Sequence, residues 1–153
     1  MLNMAGAQIH PTAVVERGCH VGHRLKLGAG SLLNAHAFVD NYDWLILEEN
    51  ARVAVRATII TRTHGIGDDP TCRSDHSRHM IAPVRIGRGS TVGAGCIILP
   101  GADIAPGCVV GAGAIVTKPT LPNSVYVGGG AARWARALPI GNEGPCHPTV
   151  SAV

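Results

Sequence analysis

Histidines in a stretch without regular patterning are the first candidates for chemistry in this chain. Thr61-Arg62-Thr63-His64-Gly65-Ile66-Gly67-Asp68-Asp69-Pro70 and the following Thr71 to His79 carry His, Asp and Arg but few apolar residues. An imidazole titrates near neutral pH, so it can take or give a proton in catalysis. His64 is the candidate general base. His76 and His79 share the stretch with Asp68, Asp69 and Asp75, but solvated loop residues explain them better than a metal cluster, and no metal is expected. His20-x-x-His23 and His36 read as surface histidines.

Composition narrows the class of function. The chain has 153 residues, enough for one domain with a real core, and is 46% hydrophobic but only 3% aromatic. A narrow interior that admits Ile, Val and Ala but not rings would account for that pairing. A net charge of +3 without a dense basic block gives no nucleic-acid surface. No apolar run approaches the roughly 18 residues of a membrane span, and Met1 to His10 lacks the basic-then-apolar order of a signal peptide. A cytoplasmic location is expected. Cys19, Cys96 and Cys108 read as buried thiols; with Cys72 and Cys146 in irregular segments, no disulfide framework is expected.

The elements that must position His64 follow from a six-residue period. Ile86, Val92, Ile98, Ile104, Val110 and Val116 recur at that interval, with Val84, Ser90, Cys96, Ala102, Cys108 and Ala114 two residues before them. The same period runs through Ile9, Val15, Val21, Leu27, Leu33 and Val39, slips by two residues across Asp40 to Trp44, and resumes at Leu47, Val53 and Ile59. Neither an α-helix nor an alternating strand returns one residue type at this interval. A parallel β-helix does, with each hexapeptide one short strand plus a corner and about 18 residues per three-sided turn. Glycines such as Gly87, Gly93 and Gly111 would supply corner conformations that a Cβ forbids.

Residues 1–138 therefore read as one β-helix domain of about five coils. The segment 60–83 reads as an external loop, irregular and long enough to be functional. Ala131 to Leu138 reads as two helical turns that cover the open end, and 139–153, rich in Pro and Gly, as a flexible tail.

In the carboxy-terminal half, Pro83-Val84-Arg85-Ile86-Gly87, Ile98-Leu99-Pro100-Gly101, Val110-Gly111-Ala112-Gly113-Ala114-Ile115-Val116-Thr117-Lys118 and Ala131-Ala132-Arg133 resemble the hexapeptide-repeat acyltransferases, in particular the galactoside, maltose and polysaccharide O-acetyltransferases. The Thr-His-Gly-Ile-Gly-Asp-Asp-Pro stretch resembles them as well. The resemblance implies a left-handed β-helix and a homotrimer with active sites between subunits. It also implies acetyl-CoA as co-substrate and a catalytic role for His64, with oxyanion donors around Gly93 and Ala94. Ala94, Ala112, Thr117, Lys118, Arg133 and Arg136 are carried over for coenzyme binding, the first three through backbone groups and the cations through phosphates. Asn34 and Asp40 are carried over for the acceptor. The chain departs from the family at Thr91, where a Trp is usual, and at Pro119 and Gly129-Gly130.

The expected function is transfer of an acetyl group from acetyl-CoA to a hydroxyl of a sugar or related small acceptor. The alternatives are N-acetylation of an amino sugar or natural product, a zinc hydratase of the carbonic anhydrase type, and a non-catalytic trimeric scaffold.

Overall fold

The computed structural model describes residues 6–140, with backbone alone for 75–77. The chain lays down a strand about every six residues. β1 (Gln8–Ile9), β2 (Val14–Val15) and an isolated bridge at His20 make the first turn. The second is β3 (Leu25–Leu27), β4 (Leu32–Leu33) and β5 (Phe38–Asp40); the third is β6 (Leu45–Leu47), β7 (Arg52–Val53) and β8 (Thr58–Ile60). β9 (Arg62–Ile66) and β10 (Ser74–Ile81) then leave the column as an antiparallel hairpin. The column resumes with β11 (Val84–Ile86), β12 (Thr91–Val92) and β13 (Ile97–Ile98), followed by β14 (Asp103–Ile104), β15 (Val109–Val110) and β16 (Ile115–Val116). It ends in β17 (Ser124–Val127), against which β18 (Arg133–Ala137) folds back.

Three parallel sheets form the walls. The first face is β1-β3-β6-β11-β14, the second β2-β4-β7-β12-β15-β17 and the third β5-β8-β13-β16. Neighbouring rungs come from successive turns, as where Thr91 pairs with Arg52 on one side and Val109 on the other. Backbone donors are satisfied between turns, for example Thr58 N–H to the Cys96 carbonyl at 2.8 Å.

The repeat becomes the core. Leu27, Leu33, Val39, Leu47, Val53, Ile59, Ile86, Val92, Ile98, Ile104, Val110 and Val116 are all buried. So are the small residues two before them, among them Ser31, Ala37, Ala51, Ala57, Ser90, Cys96 and Ala114. On the second and third faces each strand thus sends one branched and one small side chain inward, whereas β3, β6 and β11 of the first face send two: Leu25 with Leu27, Leu45 with Leu47, and Val84 with Ile86. Removing each branched side chain from water contributes on the order of 1.5–3 kcal/mol. Ile9, Val15 and Val21 are only partly buried, because among the described residues no turn lies beneath the first. Cys96 and Cys108 are buried, and burial pushes the Cys96 thiol up; Cys19 is half-buried and Cys72 exposed. Cys146, like 141–153 of the expected tail, lies outside the described residues.

Three expectations are corrected. The expected C-terminal helical turns are β18, a strand that pairs antiparallel with β17, so the end of the column is closed by edge pairing. The second face has six parallel rungs rather than five, because β17 adds a last one in which Tyr126 takes the inward place of an aliphatic. Its hydroxyl escapes burial unpaired by accepting the Leu121 N–H at 2.8 Å. Finally, the glycines after the branched position do not hold unusual conformations. Positive φ falls instead at Gly89, Gly95, Gly101, Gly107 and Gly113, and at the non-glycines His36, Asn50, Arg56 and Asn123. Gly87 and Gly93 are needed for space: a Cβ on Gly93 would sit 2.6 Å from the Ala112 nitrogen of the next turn.

On the outer side of the first face, Arg85 bridges Glu48 at 2.7 Å and Asp103 at 2.6 Å, while the Arg88 N–H donates to the other Glu48 oxygen at 2.9 Å. Partial burial alone would raise the Glu48 carboxyl, but the bonds from Arg85 and Arg88 outweigh it and hold it below the usual 4.5.

Two predictions follow from these contacts. Gly89 has φ +67 and open space around its missing Cβ, so Gly89→Asn costs under about 1 kcal/mol, since Asn tolerates this conformation, whereas Gly93→Ala costs about 1–3 kcal/mol by crowding the next turn. Urea unfolding midpoints separate the two. Because the Glu48 carboxyl is depressed in the fold, its contribution is complete above pH 4.5 and is lost as pH falls through its lower folded value. In a solvent-screened pair this amounts to about 0.2–1 kcal/mol. The stability gap between the parent and Glu48→Gln is therefore full above about pH 4.5 and closes in thermal melts as pH falls through the lower folded value.

Candidate active site

The column has three edges, and the one between the third and first faces gathers the candidate chemistry. The chain rounds it at 22–24, 41–44, 61–83, 99–102 and 117–120 in successive turns. The hairpin is therefore an enlarged corner. Its base is fixed by Thr61, which is fully buried: the hydroxyl donates to the Asp40 carbonyl and accepts the Asp43 N–H at 3.0 Å. The Thr61 carbonyl accepts the Ala82 N–H at 3.0 Å. The Arg62 guanidinium lies 3.3 Å from the centroid of the Tyr42 ring, a cation–π contact. The two-residue slip at Asp40 to Trp44 thus provides the seat on which the hairpin stands.

His64 lies in β9, exposed, opposite His79 of β10. Their rings meet edge-on with centroids 4.7 Å apart, and Nε2 of His79 is 2.9 Å from Nδ1 of His64. A bulge makes this pairing. Ser74 pairs with Ile66 and Asp75 with Gly65, so an unbroken register would bring His76 opposite His64; the shift between Asp75 and His79 puts His79 there instead. At the hairpin tip the Asp69 carboxylate accepts the Thr71 hydroxyl at 2.7 Å and its N–H at 2.8 Å, bonds that hold its pKa low. Asp69 is turning the chain.

The coenzyme candidates fall in two places. Thr117, Lys118 and Arg133 line a pocket of about 210 Å³ with Thr120, Tyr126 and Ala132 at the carboxy-terminal end. Lys118 stands on the hairpin's own edge, two turns further on, about 10 Å by the usual rung spacing. Arg136 does not line this pocket; a bulge in β17–β18 sets it opposite Val125 while Arg133 faces Val127. Ala94 and Ala112 lie on the edge between the second and third faces, and the Ala94 carbonyl accepts the Gly113 N–H at 2.9 Å. Asn34 is on that same edge in the second turn, away from the hairpin, and its side-chain oxygen accepts the Ala35 N–H at 2.7 Å. Asp40 is at the hairpin's base, its carboxylate accepting the Tyr42 N–H at 3.3 Å. The third face spans the gap between the two edges.

A larger groove of about 530 Å³ runs along the first face beside Lys26, Ile46 and Glu48 and holds none of the predicted site residues. The hairpin edge, which gathers the titratable candidates, is the candidate site. Among the described residues no three His, Cys, Asp or Glu side chains converge to hold a metal; His20 stacks on Phe38 at 4.8 Å and His36 occupies a left-handed corner. The zinc reading has no ligand set among them. His79 was missed as a partner of His64 because the register that joins them contains a bulge; only the hairpin-length spacing between two histidines pointed to it. The Tyr42–Arg62 contact likewise needs two corners of different turns to meet.

Residues 83–118 match the model of the bacterial transferase hexapeptide family (six repeats). The fold is similar to that of a maltose O-acetyltransferase from Clostridium difficile 630, with 26% identity and a TM-score of 0.76 over 91% of this chain and 73% of that one. It is also similar to VCA0836, a hexapeptide-repeat acetyltransferase of Vibrio cholerae, with 19% identity and a TM-score of 0.78 over 90% and 77% of the two chains. AntD, a Bacillus cereus N-acyltransferase seen with dTDP and 3-hydroxybutyryl-CoA, matches at 16% identity and a TM-score of 0.72 over 90% and 87%. The chain thus carries hexapeptide repeats like those of the bacterial transferases over residues 83–118, on a fold that is a left-handed parallel β-helix.

Proposed function

We propose that the chain is an acyl-CoA-dependent acetyltransferase that moves an acetyl group from acetyl-CoA to a hydroxyl of a sugar or related small acceptor, with His64 as general base. The observation that carries this reading is an imidazole pair held on a rigidly seated hairpin, on the same edge as Lys118 and the small basic pocket beyond it. The likeness to a maltose O-acetyltransferase supports the acetyl donor and the hydroxyl acceptor. VCA0836, of the same fold, has been crystallised with acetyl-CoA.

In this reading the acceptor hydroxyl lies between Nε2 of His64 and the thioester carbonyl. The imidazole takes the proton as the oxygen attacks, and the carbonyl becomes a tetrahedral oxyanion that a backbone N–H stabilises. The Gly93 N–H is given to the Val110 carbonyl at 2.8 Å and its corner stands across the third face from the hairpin, so the Ala94 N–H of a second subunit would serve. Collapse expels the coenzyme A sulfur, which leaves with the proton held by His64. Lys118 and Arg133, which share a pocket, hold the coenzyme phosphates. The outward side chains of the third face run Phe38, Thr58, Ile97 and Ile115, a largely apolar row that a second subunit of a homotrimer would cover. The cleft so formed would run between that face and the neighbour, with the hairpin over it.

Coenzyme A release measured across sugar, amino-sugar and small-alcohol panels tests the reaction. Turnover with a hydroxyl acceptor is expected; turnover with amines alone would make it an N-acetyltransferase, and none with any acceptor would leave a scaffold. His64→Ala lowers kcat by roughly 10² to 10⁴ with the fold intact by circular dichroism. Lys118→Ala and Arg133→Ala together raise KM for acetyl-CoA about tenfold or more while kcat changes little, since phosphate contacts act far from the reacting carbon.

A further inference from the structure

The base assignment leaves open what holds His64 in the one protonation form that can act. An imidazole that takes a proton at Nε2 must carry its hydrogen on Nδ1, and that hydrogen needs an acceptor. Here Nδ1 of His64 faces Nε2 of His79 at 2.9 Å. A hydrogen bond between two imidazole nitrogens contains one hydrogen, so there are two arrangements. If His64 donates, its Nε2 is a lone pair and can accept the proton of the acceptor. If His79 donates, Nε2 of a neutral His64 carries the hydrogen, and no base faces the acceptor.

We propose that His79 is the positioning residue of the base: its neutral Nε2 accepts from Nδ1–H of His64, selecting the tautomer and ring orientation in which His64 can deprotonate the acceptor. The proposal rests on His64 being the base. The geometry behind it is specific, because the register bulge of β9–β10 brings His79 across from His64 where an even register would bring His76. The charged groups described on the hairpin are Arg62 over Tyr42, Arg78 against Gly65, and Asp68, Asp69 and Arg73 toward the tip. The corner packed under its base adds Asp40 and Asp43.

Two consequences follow. First, a proton added to the pair inactivates it, whichever ring takes it: if His79 takes it, its Nε2 has a hydrogen and can only donate to Nδ1 of His64. The acid limb of kcat then belongs to the pair and not to a single residue. Second, replacements of His79 sort by hydrogen-bond role rather than by size.

The test is the pH profile of kcat and the KM for acetyl-CoA in the full chain, using the best acceptor from the panel, for His79→Gln, His79→Lys, His79→Phe and His64→Ala. His79→Gln offers an amide oxygen that accepts and does not titrate; it is expected to keep kcat within about tenfold of the parent and to change the shape of the acid limb to that of one group. His79→Phe fills the space without accepting, with kcat expected to fall by about 10- to 100-fold. His79→Lys can only donate and is expected to lose on the order of 10² or more at every pH. KM for acetyl-CoA changes little in all three. If His64→Ala is inactive but Gln, Lys and Phe at 79 all remain within twofold of the parent with an unchanged profile, the positioning role is overturned while the base stands. Equal losses for Gln and Lys would also overturn it, because a merely structural imidazole does not distinguish an acceptor from a donor. If His64→Ala keeps parental turnover, the base reading itself is wrong and this proposal goes with it.

Discussion

Everything in this molecule depends on the fit between a six-residue step and the distance between hydrogen-bonded strands. One step gives a two- or three-residue strand and a corner, three steps close a triangle, and the next turn lands one strand spacing above the last. Only then do Thr91 and Val109, or Ile97 and Ile115, stand in register, with the Thr91 N–H on the Cys108 carbonyl and the Ile97 N–H on the Ala114 carbonyl, while their inward neighbours stack. The interior that results is continuous and aliphatic, filled by a branched residue with a small one on two faces and by branched pairs such as Leu45 and Leu47 on the first. Corners that approach the next turn closely, such as Gly93 beneath Ala112, have no room for a Cβ. Corners that turn through positive φ are less demanding, since Asn, Arg and His occupy some of them.

A column this regular is a poor place for chemistry but a good mount for it. Its outward strand residues are few per turn, and its corners are short. The candidate site comes from interrupting one corner, and the interruption is well supported: a buried Thr61 ties the hairpin base to the Asp40–Asp43 corner of the turn before, and Arg62 rests on Tyr42 of the same corner. Precision at His64 is thus inherited from the core through contacts that are not themselves catalytic. A second irregularity, the bulge in the hairpin, chooses which histidine meets it. The same edge then leads in two turns to Lys118, so that a coenzyme reaching from a basic end to a reactive middle would have the column's own repeat as a ruler.

The column was legible in the sequence because the constraint is periodic and local: burial of Ile98 or Ala102 follows from phase alone. The hairpin's existence was legible as a loss of phase, and His64 stood out within it. What escaped were features set by pairing across distance. His79 reaches His64 only through a register shift, and the last rung was hidden because its inward residue is Tyr126, an aromatic that ends the aliphatic series. Ala131 to Leu138 looked helical by its alanines and arginines, yet β17 offers a free edge, and edge pairing overrides so short a local preference. Asn34 and Asp40 show the opposite case: both are polar and well placed in the series, and both are engaged in turning their own corners.

The central claim is that the imidazole on the interrupted corner acts on an acyl group carried in along that edge. A crystal structure of the protein with coenzyme A and an unreactive acetyl thioether analogue tests it most directly. The account predicts phosphates against Lys118 and Arg133, the pantetheine arm running along the third face, and the acetyl carbon within about 4 Å of the hydroxyl position that Nε2 of His64 serves. Coenzyme bound in the groove of the first face beside Lys26 and Glu48, with its acetyl group remote from the hairpin, would contradict it.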